Sequence, residues 1–207
     1  MAEQVSGTEG YADEAEALLG RYESMSPAEV HRAVLHLLPA APADVLDIGA
    51  GTGRDAAWLA SLGHQVVAVE PTDAMRSRAM ALHASPSITW IDDSLPDLAL
   101  LRARRQHFDL VMLTAVFMHL DRDQRVRAMP AIADLLAPGA RLIMRLRHGP
   151  VPPGRRMFEV TADETMALAQ ACGLTTVFNQ HAESSSAESR AAGVTWTTVA
   201  FMRNRAL

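Results

Sequence analysis

The sequence predicts an α/β fold: a mostly parallel sheet with helices on both of its faces. Three observations predict it. Between residues 44 and 207, short apolar runs alternate with stretches of helical character, the pattern of successive α/β units. One run, Val45-Leu46-Asp47-Ile48, leads into Gly49-Ala50-Gly51-Thr52-Gly53 and then into the helical Asp55-Ala56-Ala57-Trp58-Leu59-Ala60. The next run, Gln65-Val66-Val67-Ala68-Val69, ends on an acid, Glu70.

The elements follow in order. Residues 1–7 are expected to be loose. From Thr8 to about Ser24 apolar residues recur among glutamates, which predicts a helix. Ser26-Pro27-Ala28-Glu29 is a capping box with proline at the first helical position. It opens a second helix to about Leu38, ended by Pro39 and Pro42. The chain thus reads as one domain, with a helical cap over 1–39 and a core over 44–207. In the core, Val45–Ile48 is a buried strand, and the helix after it stops near Gly63. Gln65–Val69, Ile88–Ile91 and Phe108–Leu113 are strands, separated by helices from Thr72 to about His83 and from Asp97 to Arg104. Asp121 caps a helix to Leu136, in which Pro130 should impose a bend or a boundary. Arg141–Leu146 is a strand. Thr161-Ala162-Asp163-Glu164 is a second capping box, for a helix that stops at Gly173. Leu174–Phe178 and Val194–Phe201 are the last strands, and the serine-rich stretch Gln180–Gly193 between them reads as a mobile loop.

A glycine turn between strand and helix lets the backbone approach a ligand where a Cβ would collide, and the helix start offers unpaired N–H groups. A carboxylate at the tip of the second strand can accept from both hydroxyls of a ribose. The corner therefore asks for an adenosine-type ligand. A dinucleotide fingerprint would need glycine at the sixth position from Gly49, where this chain has Arg54. Asp47 with Gly49, Gly51 and Gly53 instead resembles the first motif of the class I S-adenosylmethionine-dependent methyltransferases. The resemblance continues through Glu70, Ile91-Asp92-Asp93-Ser94-Leu95-Pro96, Phe108-Asp109-Leu110-Val111 and Leu136-Ala137-Pro138-Gly139. It covers residues 44–139 by motif and the rest by element order.

That resemblance implies a Rossmann-like sheet of about seven strands, the last antiparallel, with S-adenosylmethionine bound beyond the carboxyl ends of the strands and S-adenosylhomocysteine as product. Asp47, Gly49, Ala50, Gly51 and Gly53 would hold the amino acid part of the cofactor. Glu70 would hold the ribose, with Pro71 and Met75 packed near it. Asp93 and Ser94 would meet the adenine edge, Asp92 being the second choice, and Thr114 completes the set. The methyl acceptor would lie over the end of the fourth strand, where His119 is either a general base or a packing and capping residue. Tyr11, Tyr22 and His31 are the cap residues that could reach a ligand, Tyr22 being assigned to the acceptor. Arg145 and Arg147 share one face of the fifth strand. Arg147, with His148 beside it, is expected either to clamp an anionic group of the acceptor or to close a salt bridge with an acid such as Glu159; Arg145 is expected to be a structural pair deeper in the fold. Because a sulfonium methyl is already activated, the work left to the protein is in-line placement of a nucleophile and exclusion of water.

Composition narrows the alternatives. A net charge of −5 over 207 residues gives no basic field for nucleic acid, and neither target-base motif of the nucleic acid enzymes follows the fourth strand. There is no lysine, so the Tyr-x-x-x-Lys pair of a nicotinamide-dependent reductase is absent. The single Cys172 allows no internal disulfide and reads as a small core residue. The acidic start Met1-Ala2-Glu3-Gln4 is no secretory signal, and no apolar run has membrane-spanning length. A cytoplasmic bacterial enzyme acting on a small molecule is expected, monomer or homodimer, with no resident metal. An RNA or protein methyltransferase and a catalytically silent cofactor-binding regulator are the alternatives.

Overall fold

The structure is a computed structural model that describes residues 5–204. The expectation of a loose start therefore lies partly outside the described residues. Within them it is corrected: Gly7 is buried, and a Cβ there would stand 3.1 Å from that of His119.

The cap comprises α1 (Ala15–Glu23) and α2 (Pro27–Val30), followed by a 3-10 segment, Arg32–Leu37. The first helix starts later than the periodicity suggests, and the second is a single α-turn. Ser26 does cap α2, accepting from the Glu29 N–H at 3.5 Å. The 3-10 geometry that follows brings Val34 and Leu37, three residues apart, together into the core.

The core follows as β1 (Asp44–Ile48), α3 (Arg54–Ser61), β2 (Gln65–Val69), α4 (Asp73–Leu82), β3 (Ile88–Ile91), α5 (Ala99–Ala103), β4 (Phe108–Thr114), α6 (Arg122–Leu135), β5 (Leu136–His148), α7 (Ala162–Ala171), β6 (Leu174–Glu183), α8 (Ala187–Ala191) and β7 (Thr195–Arg203). The sheet order is β3-β2-β1-β4-β5-β7-β6. The first five strands in this order run parallel, and β7 lies antiparallel between β5 and β6. Strand alternation divides the core. Leu46 and Ile48 face a cluster with α6 and α7 residues such as Met129, Ile132 and Ala169. Val45, Leu110 and Met112 face the opposite one, with Ala56 and Leu59 of α3 and Val34 of the cap. A third, small cluster joins the cap to α4 through Ala15, Leu18 and Met75.

Two expectations are corrected in the last third. Gln180–Gly193 is no loop: β6 continues to Glu183, and α8 follows with Ser186 as its cap. Thr161 caps α7, but Glu164 does not reach back to complete a capping box. Its carboxylate takes both a 3.1 Å bond from Arg125 Nε and one from Nη2. In α6 the Asp121–Gln124 box is complete, and Pro130 sits inside a continuous helix. The carbonyl its ring leaves unbonded belongs to Val126, which is exposed, so water can satisfy it.

Candidate active site

The turn after β1 is pinned to the end of β2. Gly49 and Ala50 both donate backbone N–H bonds to the Val69 carbonyl, at 2.8 and 2.9 Å. Gly49 has φ of +72°, and a Cβ on it would come within 2.5 Å of Val116 Cγ2. Gly51, at φ of +57°, is different: its nearest neighbours for a Cβ are 4.0 Å away, and it faces the cleft. Gly53 caps α3, but a Cβ there would strike the Trp90 ring at 2.8 Å. Of the three expected cradle glycines, it alone stays out of the cleft lining and serves helix-to-strand packing.

Glu70 is buried, and both its oxygens hold the loop: Oε2 accepts from Gly51 N–H at 2.9 Å and Oε1 from Thr72 N–H at 2.8 Å. Burial raises its pKa, offset in part by those two bonds. Each oxygen keeps a further lone pair for a ligand. Asp47 is also buried, and its Oδ2 has no hydrogen-bond partner among the described residues. Burial lifts this carboxyl well above the ordinary aspartate range, and the nearby Asp55 lifts it further. Pro71, Met75, Asp93, Ser94 and Thr114 line the same cleft. Asp93 spends its oxygens on the N–H groups of Ser94 and Leu101. Asp92 is outside the lining and pairs with Arg76 at 3.0 Å.

A buried network beside the turn was missed from sequence. Asp55 receives His31 Nε2 at 2.8 Å and the Thr114 hydroxyl at 3.1 Å on one oxygen, and Arg54 on the other. Burial opposes its ionisation, but His31 and Arg54 outweigh that and hold its pKa below the ordinary value. His31, one of the cap residues that could reach a ligand, packs inside the fold: it orients Asp55 and stacks on Trp58. The signal in the chain was an Arg-Asp pair directly after the last glycine.

Across the cleft, beyond β4, the Tyr11 hydroxyl lies 3.0 Å from His119 Nε2. His119 Nδ1 lies 2.8 Å from the Arg156 carbonyl. A carbonyl only accepts, so Nδ1 carries the proton and Nε2 accepts from Tyr11. Burial lowers the His119 pKa and favours this neutral ring. Arg155 stacks on Tyr11 at 4.1 Å and pairs with Glu14 at 2.7 Å. Tyr22 lines the cleft as well.

The fifth strand departs from expectation. Arg145 forms no ion pair among the described residues; its guanidinium lies 4.3 Å from the centre of the Trp196 ring. Arg147 does not meet Glu159; among the described residues its one side-chain hydrogen-bond contact is with Met157 Sδ at 4.0 Å. Both arginines line the cleft. His148 does not. Alternation turns it away, to a 2.8 Å bond with the Thr197 hydroxyl and a ring contact with His181. The cleft has a volume of about 810 Å³, within the range of small-molecule sites.

Residues 45–139 match the family model of the methyltransferase domain. An uncharacterised methyltransferase of Mycobacterium tuberculosis is 34% identical over 131 residues, which is 60% of this chain and 48% of that protein. The chain thus spans about half the length of the curated relatives it matches. Among solved structures, a methyltransferase of Haloferax volcanii in complex with the Trm112 activator superposes with a TM-score of 0.72 at 14% identity, over 95% of this chain and 99% of that one. The 1,6-didemethyltoxoflavin-N1-methyltransferase of Burkholderia thailandensis, solved with its acceptor and S-adenosylhomocysteine, gives 0.68 at 21% identity, over 99% and 93%. Residues 45–139 thus match a methyltransferase domain, and the chain as a whole shares the fold of solved S-adenosylmethionine-dependent methyltransferases.

Proposed function

We propose that the protein transfers a methyl group from S-adenosylmethionine to a small-molecule acceptor. The observation that carries this reading is the corner formed by Asp47, Gly51 and Glu70, which opens on one side of a cleft much larger than the corner itself. The residues fit the cofactor. The unpartnered Asp47 oxygen suits a ligand ammonium, the free lone pairs of Glu70 suit ribose hydroxyls, and the open space over Gly51 admits a close ligand. When bound, the cofactor supplies an electrophilic methyl on a sulfonium.

The remaining work falls to the chain. The cap excludes water from the cleft, with Tyr11, Leu18 and Tyr22 on its inner surface. The Tyr11 phenol, committed as donor to His119, turns its oxygen lone pairs toward the cleft, where they can accept from an O–H or N–H nucleophile. A proton leaving that nucleophile can then pass through the phenol to His119 Nε2. His148 has no part in this, because it faces away.

The reading is tested by thermal shift and calorimetry with S-adenosylmethionine, S-adenosylhomocysteine and NAD, followed by transfer of labelled methyl to a metabolite panel. Both sulfur ligands should raise Tm and NAD should not. Stabilisation without transfer to any acceptor would favour a silent binder. Absence of binding would overturn the proposal.

A further inference from the structure

Two guanidinium groups line the cleft without a carboxylate partner among the described residues. Arg145 and Arg147 stand on one face of β5, in register with Thr198 and Trp196 of β7. Of the acids that line the cleft, Asp47 lies at the end of β1 and Glu188 on α8, and neither pairs with these arginines; the other four are engaged elsewhere. Glu14 pairs with Arg155 and Asp55 with Arg54 and His31. Glu70 and Asp93 are held by backbone N–H groups.

An arginine withdrawn from water without a counter-charge is costly, and chains keep such groups where something else supplies the charge. The cost is visible here. Burial pushes Arg145 down to about 10, with Arg54 adding to the effect, and burial lowers Arg147 as well. The Trp196 face offsets part of this for Arg145. Arg147 has only a thioether.

The position in the sheet separates Arg147 from the corner of Asp47, Gly51 and Glu70, while Arg145 stands between them, in register with Thr114. Asp47, Gly51 and Glu70 cluster at the ends of β1 and β2, whereas β5 lies on the far side of β4. We infer that Arg145 and Arg147 together recognise a carboxylate on the methyl acceptor. The planar fork of Arg147 makes the in-plane contact, and Arg145, steadied on Trp196, adds the second charge. This inference deepens the proposed function and rests on it. His148, on the opposite face, is excluded from the recognition.

The test uses the full chain saturated with S-adenosylhomocysteine, with benzoate, its neutral isostere benzamide, and inorganic phosphate as probes. Binding is followed by two-dimensional NMR and calorimetry. Benzoate should bind at least tenfold more tightly than benzamide. Arg147→Lys, which keeps the charge and loses the fork, should weaken benzoate by about tenfold or more, equivalent to about 1.4 kcal/mol, with affinity for S-adenosylhomocysteine unchanged. Arg145→Lys should act in the same direction. Benzoate favoured over phosphate supports a carboxylate; phosphate favoured over benzoate overturns that choice. Equal binding of benzoate and benzamide, or binding of neither, overturns the inference without a variant. Loss of S-adenosylhomocysteine affinity in the variants would assign the arginines to the cofactor's own carboxylate and also overturn it. Failure of the wild-type chain to bind S-adenosylhomocysteine is the separate failure of the proposed function.

Discussion

The Tyr11 hydroxyl and His119 Nε2, 3.0 Å apart, join the cap to the turn after β4. The Arg155 guanidinium stacks on the same ring, a second contact between the cap and the chain beyond β5.

Tyr11→Phe removes the hydroxyl and leaves the ring under Arg155. It is expected to cost about 0.5–1.5 kcal/mol of stability, the net worth of one hydrogen bond. Affinity for S-adenosylhomocysteine should hold within about twofold, because the glycine corner lies in the core. Turnover, once an acceptor is in hand, should fall more than binding does. Urea unfolding and calorimetry give the first two quantities. A large loss of cofactor affinity would place Tyr11 in the cofactor site.

The three glycines should separate into two kinds. Gly49→Ala and Gly53→Ala drive a methyl to 2.5 Å from Val116 and 2.8 Å from Trp90, so both should lower Tm. Gly51→Ala meets nothing closer than 4.0 Å and carries only the left-handed backbone penalty, about 1–2 kcal/mol. Its main effect should be on S-adenosylhomocysteine, weakened tenfold or more because the methyl occupies ligand space. Thermal melts with and without ligand separate the two kinds.

Asp47 makes a pH prediction whose sign is fixed by burial. Its carboxyl is raised above the ordinary 3.8 in the folded chain, so the native state binds more protons than the unfolded one above that pH. Its contribution is intact below about pH 4 and lost as pH rises toward the folded value. Asp47→Asn removes this loss, so the variant should gain stability relative to wild type as pH rises from about 4 toward neutrality. A ligand ammonium reverses the preference for the protonated carboxyl. Binding of S-adenosylhomocysteine to the wild type should therefore release protons, read from calorimetry in buffers of different ionisation enthalpy. Asp47→Asn should lose both that release and much of the affinity.

Glu164→Ala leaves Arg125, only 5% exposed, without its carboxylate. The expected cost is about 1.5–3 kcal/mol, the range of hydrogen bonds to charged groups. Chemical denaturation measures it. A cost no greater than that of Thr161→Ala would show that Glu164 matters only to the helix cap.

The glycine corner was legible because its constraints are local. A strand, a positive-φ turn and an acid at the next strand tip are adjacent in the chain, and Asp47, Gly51, Glu70 and Asp93 all reach the cleft. The acceptor half was less legible because its partners are chosen in three dimensions. Arg147 was left between Glu159 and a ligand, and only the fold shows that Glu159 is not its partner. His148 was joined to Arg147 by sequence adjacency, although neighbours on a strand face opposite ways. Residues 180–193 read as loop because β6 is an edge strand. Asn179, Gln180 and His181 are exposed, so no apolar alternation marks them. Glu164 fits a local capping pattern, but a buried arginine 39 residues away claims it.

The attachment of the N-terminal segment has a consequence for how the chain acquires its shape. Tyr11 meets His119 across 108 positions, Glu14 meets Arg155 across 141, and Ser6 meets Arg156 across 150. Translation makes the cap before its anchors. Tyr11 can find His119 once the turn after β4 has left the ribosome, but Glu14 has nothing to hold until β5 and the turn beyond it have followed. Contacts of such long sequence separation form late and slow the final approach to the native state. A nascent chain halted before residue 155 would thus present a cap that lacks its Glu14 and Ser6 anchors beside an otherwise assembled glycine corner.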